Sequence, residues 1–348
     1  MRFLPSFAMV LWLAGVSSAS AATVDTAKKT PIEPVGPIQI SYLLHFAPEP
    51  RGDVVKQGQD LVRSKFPALK VLTKSDERVA APSVFIAMLD VNSADGFAPP
   101  SLETLKYFGR GVSREQAEAM QKSKVATVLT FSYGAADAVA TARVANDVMK
   151  ELATRTGGLI WDDETRELFT PAALAEKRMS PLDHGFPDVR GHIVIHAYQN
   201  GEYIRAITLG MRKFGLPDVV INEFSWSLND QMGNTINLFA QSLLEGASPT
   251  LGRYDFDVSK LKHDSVRAVY DKHLLDDAHS VAQLTLANAR PTKATRTIGW
   301  SSCDSIGTTA RPCMRNTRNL PAASTDRSIR SLASSTTRPS RRQVLGHA

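Results

Sequence analysis

The sequence predicts an α+β protein of two domains, each of mixed or antiparallel sheet packed with helices, followed by a disordered C-terminal tail. Three observations carry this reading. Apolar runs with the two-residue alternation of strands are interleaved with stretches of helical spacing. Asn200-Gly201 lies between two alternating runs, and both residues tolerate the positive φ of a tight hairpin turn. From about Pro291 the composition changes abruptly and all periodicity stops. The length of 348 residues has room for two domains.

Residues 1–21 have the form of a secretory signal. Arg2 supplies the positive start, Phe3 to Val16 the apolar stretch, and Ala19-Ser20-Ala21 the small-x-small pattern before a cut. The mature protein is therefore expected to be exported, periplasmic or secreted, with no membrane span after cleavage, since no later stretch reaches the roughly 20 apolar residues needed. Residues 22–37 form a polar lead-in.

An N-terminal α/β domain is expected over residues 38–178. Ile38 to Phe46 reads as the first strand, and Asp53 as N-cap of a helix over Val54 to Phe66. Leu69 to Leu72 and Ser83 to Val91 read as strands. Ser101 caps a short helix through Phe108, and Ser113 with Gln116 forms a capping box for a helix to about Lys122. Val125 to Tyr133 is an apolar strand, and a long helix from about Ala136 to Thr154 closes at Gly157-Gly158. Leu159 to Phe169 reads as a hairpin turning near Asp163-Glu164. Asp162, Asp163 and Glu164 are consecutive, so they point to alternate faces and read as a solvated turn rather than one site. Pro171 to Arg178 is a short helix.

Met179 to Arg190, with two prolines, is the expected linker, and residues 191–290 the C-terminal α+β domain. A loop of Asn200-Gly201 sets Tyr198 opposite Tyr203, Ala197 opposite Ile204 and His196 opposite Arg205. Ile193, Ile195, Ala197, Ile204, Ala206 and Thr208 then share the core face. His192, Val194, His196, Tyr198, Tyr203, Arg205, Ile207 and Leu209 share the other. Val219 to Ile221 reads as a strand, Asn229 as cap of a helix to Leu244, Val258 to Leu275 as a helix, and Val281 to Ala287 as a strand.

The net charge of +6 is unevenly spread. Of 41 basic and 35 acidic residues, 11 and 2 lie from Arg290 onward, so the remainder carries 30 and 33. The folded part is mildly acidic, which argues against nucleic acid as its partner. Cys303 and Cys313 both lie in the tail, which excludes a disulfide framework, a cysteine-ligated zinc and a thiol nucleophile from the folded part. The tail, 291–348, is rich in serine, threonine and arginine and nearly free of lysine. It reads either as a disordered basic tail able to bind anionic lipid, polysaccharide or nucleic acid, or as out-of-frame translation of a GC-rich gene. Its composition favours the latter.

No phosphate loop, Gly-x-Ser-x-Gly elbow, His-Glu-x-x-His or EF-hand loop is present, and no cofactor is expected. His192 and His196 are about 13 Å apart along a strand, too far to share one ion, so no metal is expected. His45 reads as a core histidine with its polar atoms satisfied. His263, His273 and His279 lie near Asp264, Asp271, Asp276 and Asp277. The candidate ligand-binding residues are His196, Arg205, Tyr198 and Tyr203, an anion- or carboxylate-binding patch.

Thr208-Leu209-Gly210-Met211-Arg212-Lys213-Phe214-Gly215-Leu216-Pro217-Asp218 and Gly158-Leu159-Ile160-Trp161-Asp162-Asp163-Glu164-Thr165-Arg166 resemble segments of bacterial exported proteins that carry a domain of unknown function. The resemblance covers roughly residues 38–290. It implies two α/β halves and carries no activity or catalytic residue across. The expected function is that of an exported binding or accessory protein without catalysis, whose partner is a small anionic ligand or a protein. The alternative is a hydrolase-type enzyme with an interdomain site near His192, His196 and Arg205.

Overall fold

Alternation along Ile38–Phe46 puts Ile38, Ile40, Tyr42, Leu44 and Phe46 on one side of strand β1, and all five are buried. The computed structural model describes residues 37–47, 49–75, 77, 79–92, 98–273 and 281–286. The expected signal, all but the last residue of the lead-in, the tail, and Asp276, Asp277 and His279 lie outside these residues.

The chain continues through α1 (Val54–Lys65), β2 (Lys70–Val71), β3 (Ser83–Asp90), α2 (Leu102–Phe108), β4 (Gly109–Arg110), α3 (Arg114–Met120) and β5 (Val125–Tyr133). Then follow α4 (Ala138–Thr156), β6 (Gly158–Asp162), β7 (Glu167–Phe169) and α5 (Pro171–Arg178). The caps that start these helices are the expected ones. Asp53 accepts from Lys56 N, Ser101 from Thr104 N, and Ser113 with Gln116 completes a capping box. Gly157, in the left-handed region at φ 76°, ends α4.

These strands form one sheet in the order β2-β3-β5-β1-β6-β7-β4. It is antiparallel except where short β2 joins β3 and β4 joins β7. The helices α1 and α4 cover the face that carries Tyr42 and Leu44, burying Leu61, Val148, Met149 and Leu152 against it. Leu105, Ala117 and Met120 of α2 and α3 cover Leu159 and Leu168 on the other.

After an extended connection, the second half holds β8 (Val194–Asn200), β9 (Tyr203–Leu209), β10 (Val220–Phe224), α6 (Asn229–Leu244), β11 (Gly252–Asp257), α7 (Asp264–His273) and β12 (Val281–Leu286). The first three form a sheet in the order β10-β9-β8, and the last two strands pair with each other. Ile195, Ala197, Ile204 and Ala206 pack with Ile236 of α6, as the core face predicts. Met211, Phe214, Leu238, Phe239 and Phe256 form a further core, which Ala142 of α4 joins. The long helix of the first half therefore packs into both halves. Among the described residues no helix is long and apolar enough to cross a membrane.

The structure corrects three local expectations. The hairpin turn is Gly201-Glu202, not Asn200-Gly201. Asn200 pairs with Tyr203, Tyr198 with Arg205, and His196 with Ile207 rather than Arg205. Gly201 takes φ 66°, while Asn200 stays in the strand, so one glycine at the first turn position is enough. The slip moves each partner by two residues, so the two faces keep their members. Asn229 is not a cap: α6 opens from Leu228 without a side-chain cap, after a 3-10 turn that Ser225 caps. The expected helix over Val258 to Leu275 is broken. A 3-10 turn covers Val258–Lys260 and α7 begins only at Asp264.

Candidate functional site

The second face of the hairpin is buried at His192, Val194 and Arg205 and opens toward its turn. Arg205 is 2% exposed; its Nη1 donates to Tyr198 Oη at 2.9 Å, and its guanidinium lies 5.9 Å from that ring's centre. His196, now diagonal to Arg205, stacks on Phe108 of α2 with ring centres 5.1 Å apart and planes 7° apart. Its burial lowers its pKa, and its Nε2 has no hydrogen-bond partner among the described residues. Tyr203 stays exposed at the hairpin end. The geometry thus joins Arg205 to Tyr198, sends His196 to Phe108, and leaves Tyr203 apart. His192 precedes the strand and lies edge-on to Phe214 at 5.5 Å. Burial, then Arg178 and Lys213, hold its pKa well below the usual imidazole value. His45 is buried, as expected of a core histidine, but its Nδ1 lacks a partner among the described residues, and burial lowers its pKa to about 4.

The principal gathering of charge lies beside His192, built on residues that the sequence reading assigned to a solvated turn or to no site at all. Asp162 closes β6 and pairs with Tyr42 across β1. It shares the parity of Ile160, so it points into the helix-covered side and is fully buried. Glu167 sits opposite Asp162 across the β6–β7 turn and is equally buried. Arg178, the last residue of α5, straddles the two. Its Nη2 lies 2.8 Å from Asp162 Oδ2 and 3.0 Å from Glu167 Oε2, and also donates to Thr165 Oγ1 at 2.8 Å. Its Nη1 donates to the Gly191 carbonyl at 3.0 Å.

Lys213 enters from the second half. A 3-10 turn over Met211–Phe214, between left-handed Gly210 and Gly215, buries it; its Nζ donates to Asp162 Oδ2 at 2.5 Å and to the His192 carbonyl at 3.2 Å. Asp162 Oδ1 accepts the backbone N–H groups of Glu164 at 3.1 Å and Thr165 at 3.3 Å. Glu167 Oε1 accepts Lys177 Nζ and Arg110 Nε, each at 2.7 Å. A continuous chain runs Arg110 and Lys177, Glu167, Arg178, Asp162, Lys213. It reaches across the 179–190 connection. Tyr133 of β5 adds a hydrogen bond to the Lys213 carbonyl at 2.8 Å.

Burial alone raises the carboxyl pKa of Asp162, but Lys213 and Arg178 outweigh it and hold the group at about 2. Glu167 is lowered too, with Arg178 and Lys177 overcoming its burial. Burial, with Arg178 next, lowers Lys213 to about 8 despite Asp162. Half-buried Glu164 is pushed up to about 7 by burial and by the Asp162 charge. Asp218, which accepts from Thr208 Oγ1 at 2.9 Å, is raised to about 6, mainly by burial.

A cavity of about 260 Å³, lined by Glu49, Pro50, Lys122, Lys124 and Val125, lies at the start of β5, whereas Lys213 meets its end. That is roughly 26 Å away at ~3.3 Å per strand residue. No family model, curated protein or solved structure matches this chain.

Proposed function

We propose that the chain is an exported binding or accessory protein without catalysis of its own, acting in the periplasm or outside the cell. One observation carries this reading: the buried carboxylates are spent on their own protein. Both oxygens of Asp162 and both of Glu167 accept from cations or backbone N–H groups of the same chain. Every oxygen of the two is thus engaged within the chain. The cluster then serves to fasten the second half to the first sheet. The resemblance to exported proteins with a domain of unknown function belongs to the same reading. The mildly acidic folded part counts against nucleic acid as partner.

A second reading, a hydrolase with a site near His192, His196 and Arg205, draws support from Glu164 at about 7 and Lys213 at about 8. Groups moved toward neutrality are what acid–base catalysis uses. Purified protein tested on chromogenic ester, peptide, phosphate and glycoside substrates separates the two. The proposal expects no turnover above a heat-inactivated control. Turnover that disappears in a folded Glu164→Gln variant would replace it with the hydrolase.

A further inference from the structure

We propose that Asp183, His184 and Asp264 form a binding site for one divalent transition-metal ion of the zinc class. The three come from two segments far apart in the chain, and their ligand atoms all lie within 4.8 Å of one another. Asp183 and His184 sit on a tight turn closed by a two-way backbone pairing of Asp183 with Phe186. Asp264 opens α7.

Each carboxylate uses one oxygen to fix itself and turns the other to the imidazole. Asp183 Oδ2 accepts the Asp264 backbone N–H at 2.6 Å, while Oδ1 lies 3.6 Å from His184 Nε2. Asp264 Oδ1 accepts Arg267 Nη2 at 2.5 Å, while Oδ2 lies 4.0 Å from the same Nε2. These gaps are too long for hydrogen bonds. They are close to the roughly 3.4 Å between donors that surround an ion tetrahedrally with bonds of about 2.1 Å. Anchoring of the outer oxygen by a neighbouring donor is how metal-binding carboxylates are usually oriented.

His263 is 4% exposed, and its Nε2 has no partner among the described residues. Its Nδ1 lies 3.6 Å from Asp183 Oδ2 and 3.1 Å from Ser265 Oγ. The buried ring of His263 thus packs on Asp183 through its Nδ1 edge, while the unpartnered Nε2 lies on the opposite edge of the ring. One imidazole beside two carboxylates favours zinc over calcium and magnesium. His184 and Asp264 are well exposed, at 58% and 64% of their side chains, so the ion exchanges with solvent and keeps water in its shell. Bound there, it ties the connection between the halves to the start of α7.

Calorimetric titration of Zn²⁺ into the full chain, stripped beforehand with a chelator, tests this. The expected result is one ion per chain. Affinity falls at least about tenfold in both His184→Ala and Asp264→Asn, with circular dichroism unchanged. A Co²⁺-loaded sample shows ligand-field bands without thiolate charge transfer. The proposal is overturned if the wild type binds no zinc, or if Asp264→Asn binds as well as wild type, since a lone surface imidazole then accounts for the ion. Thiolate bands overturn it as well, by assigning the ion to Cys303 and Cys313.

Discussion

Replacing Asp162 by asparagine keeps the shape of the side chain and removes its charge. Lys213 and Arg178 then face each other as buried cations, with side chains 1% and 0% exposed. Arg178 keeps Glu167, and Lys213 keeps only the neutral His192 carbonyl among the contacts described above. Breaking one side of a buried ion pair costs about 3–5 kcal/mol, a large share of the ~5–15 kcal/mol that holds a domain together. Part of that cost depends on pH with a definite sign. The folded pKa of Asp162, about 2, lies below its ordinary value of 3.8. A depressed carboxyl stabilises the fold fully above its unfolded pKa and loses that stabilisation as pH falls through the folded one. The difference amounts to about 2 kcal/mol, at ~1.4 kcal/mol per pKa unit. Urea unfolding of wild type and Asp162→Asn at pH 7, 4, 3 and 2 reads both effects. The gap between the proteins is about 3–5 kcal/mol at pH 7 and shrinks by about 2 kcal/mol between pH 4 and 2. A gap under about 1 kcal/mol at pH 7, or one that does not change with pH, refutes the reasoning.

Two further outcomes follow from the same contacts. Glu164 has a folded pKa raised from 4.5 to about 7, so the unfolded chain releases its proton first and stability falls as pH rises through that window. Glu164→Gln is expected to raise the thermal midpoint at pH 7.5 by about 2–4 °C, corresponding to ~1 kcal/mol after allowance for its partial exposure, and to do nothing at pH 4; a lowered midpoint at pH 7.5 would contradict the assignment. His196→Phe keeps the stack on Phe108 and removes a buried, unpartnered nitrogen. Its stability in urea stays within about 1 kcal/mol of wild type or rises, whereas a loss of ~3 kcal/mol would mean that the imidazole has a polar role not accounted for here.

The fold was largely legible because its signals are local. Asp53, Ser101 and Ser113 cap the helices they announce, and the apolar runs Ile38–Phe46 and Val125–Tyr133 match the strands to the residue. The hairpin faces were legible for the same reason, while its register was not. Asn200-Gly201 and Gly201-Glu202 both satisfy the turn, and only pairing decides between them.

The ion chain was misread from a sound rule applied too narrowly. Alternation does separate Asp162, Asp163 and Glu164, but it also gives Asp162 the inward direction of Ile160. The turn then sets Glu167, five residues later, directly across from Asp162 and so on the same side. Lys213 could not be found this way. It reaches Asp162 from 51 residues downstream on a 3-10 turn set by two glycines. The Asp183-His184 and His263-Asp264 dipeptides were visible in the chain, but their meeting depends on how the 179–190 connection crosses α7.

Asp162 and Lys213 act together across that connection, which a double-mutant cycle measures directly. Stabilities of wild type, Asp162→Asn, Lys213→Met and the double variant give the coupling energy at pH 7. The expected result is a coupling of about 2 kcal/mol or more, with the double variant far less damaged than the two single losses together imply, because neither is left with a buried unpaired charge. Losses that add to within about 0.5 kcal/mol would mean that the pair is incidental, and that the buried ion chain does not fasten the two halves of this protein.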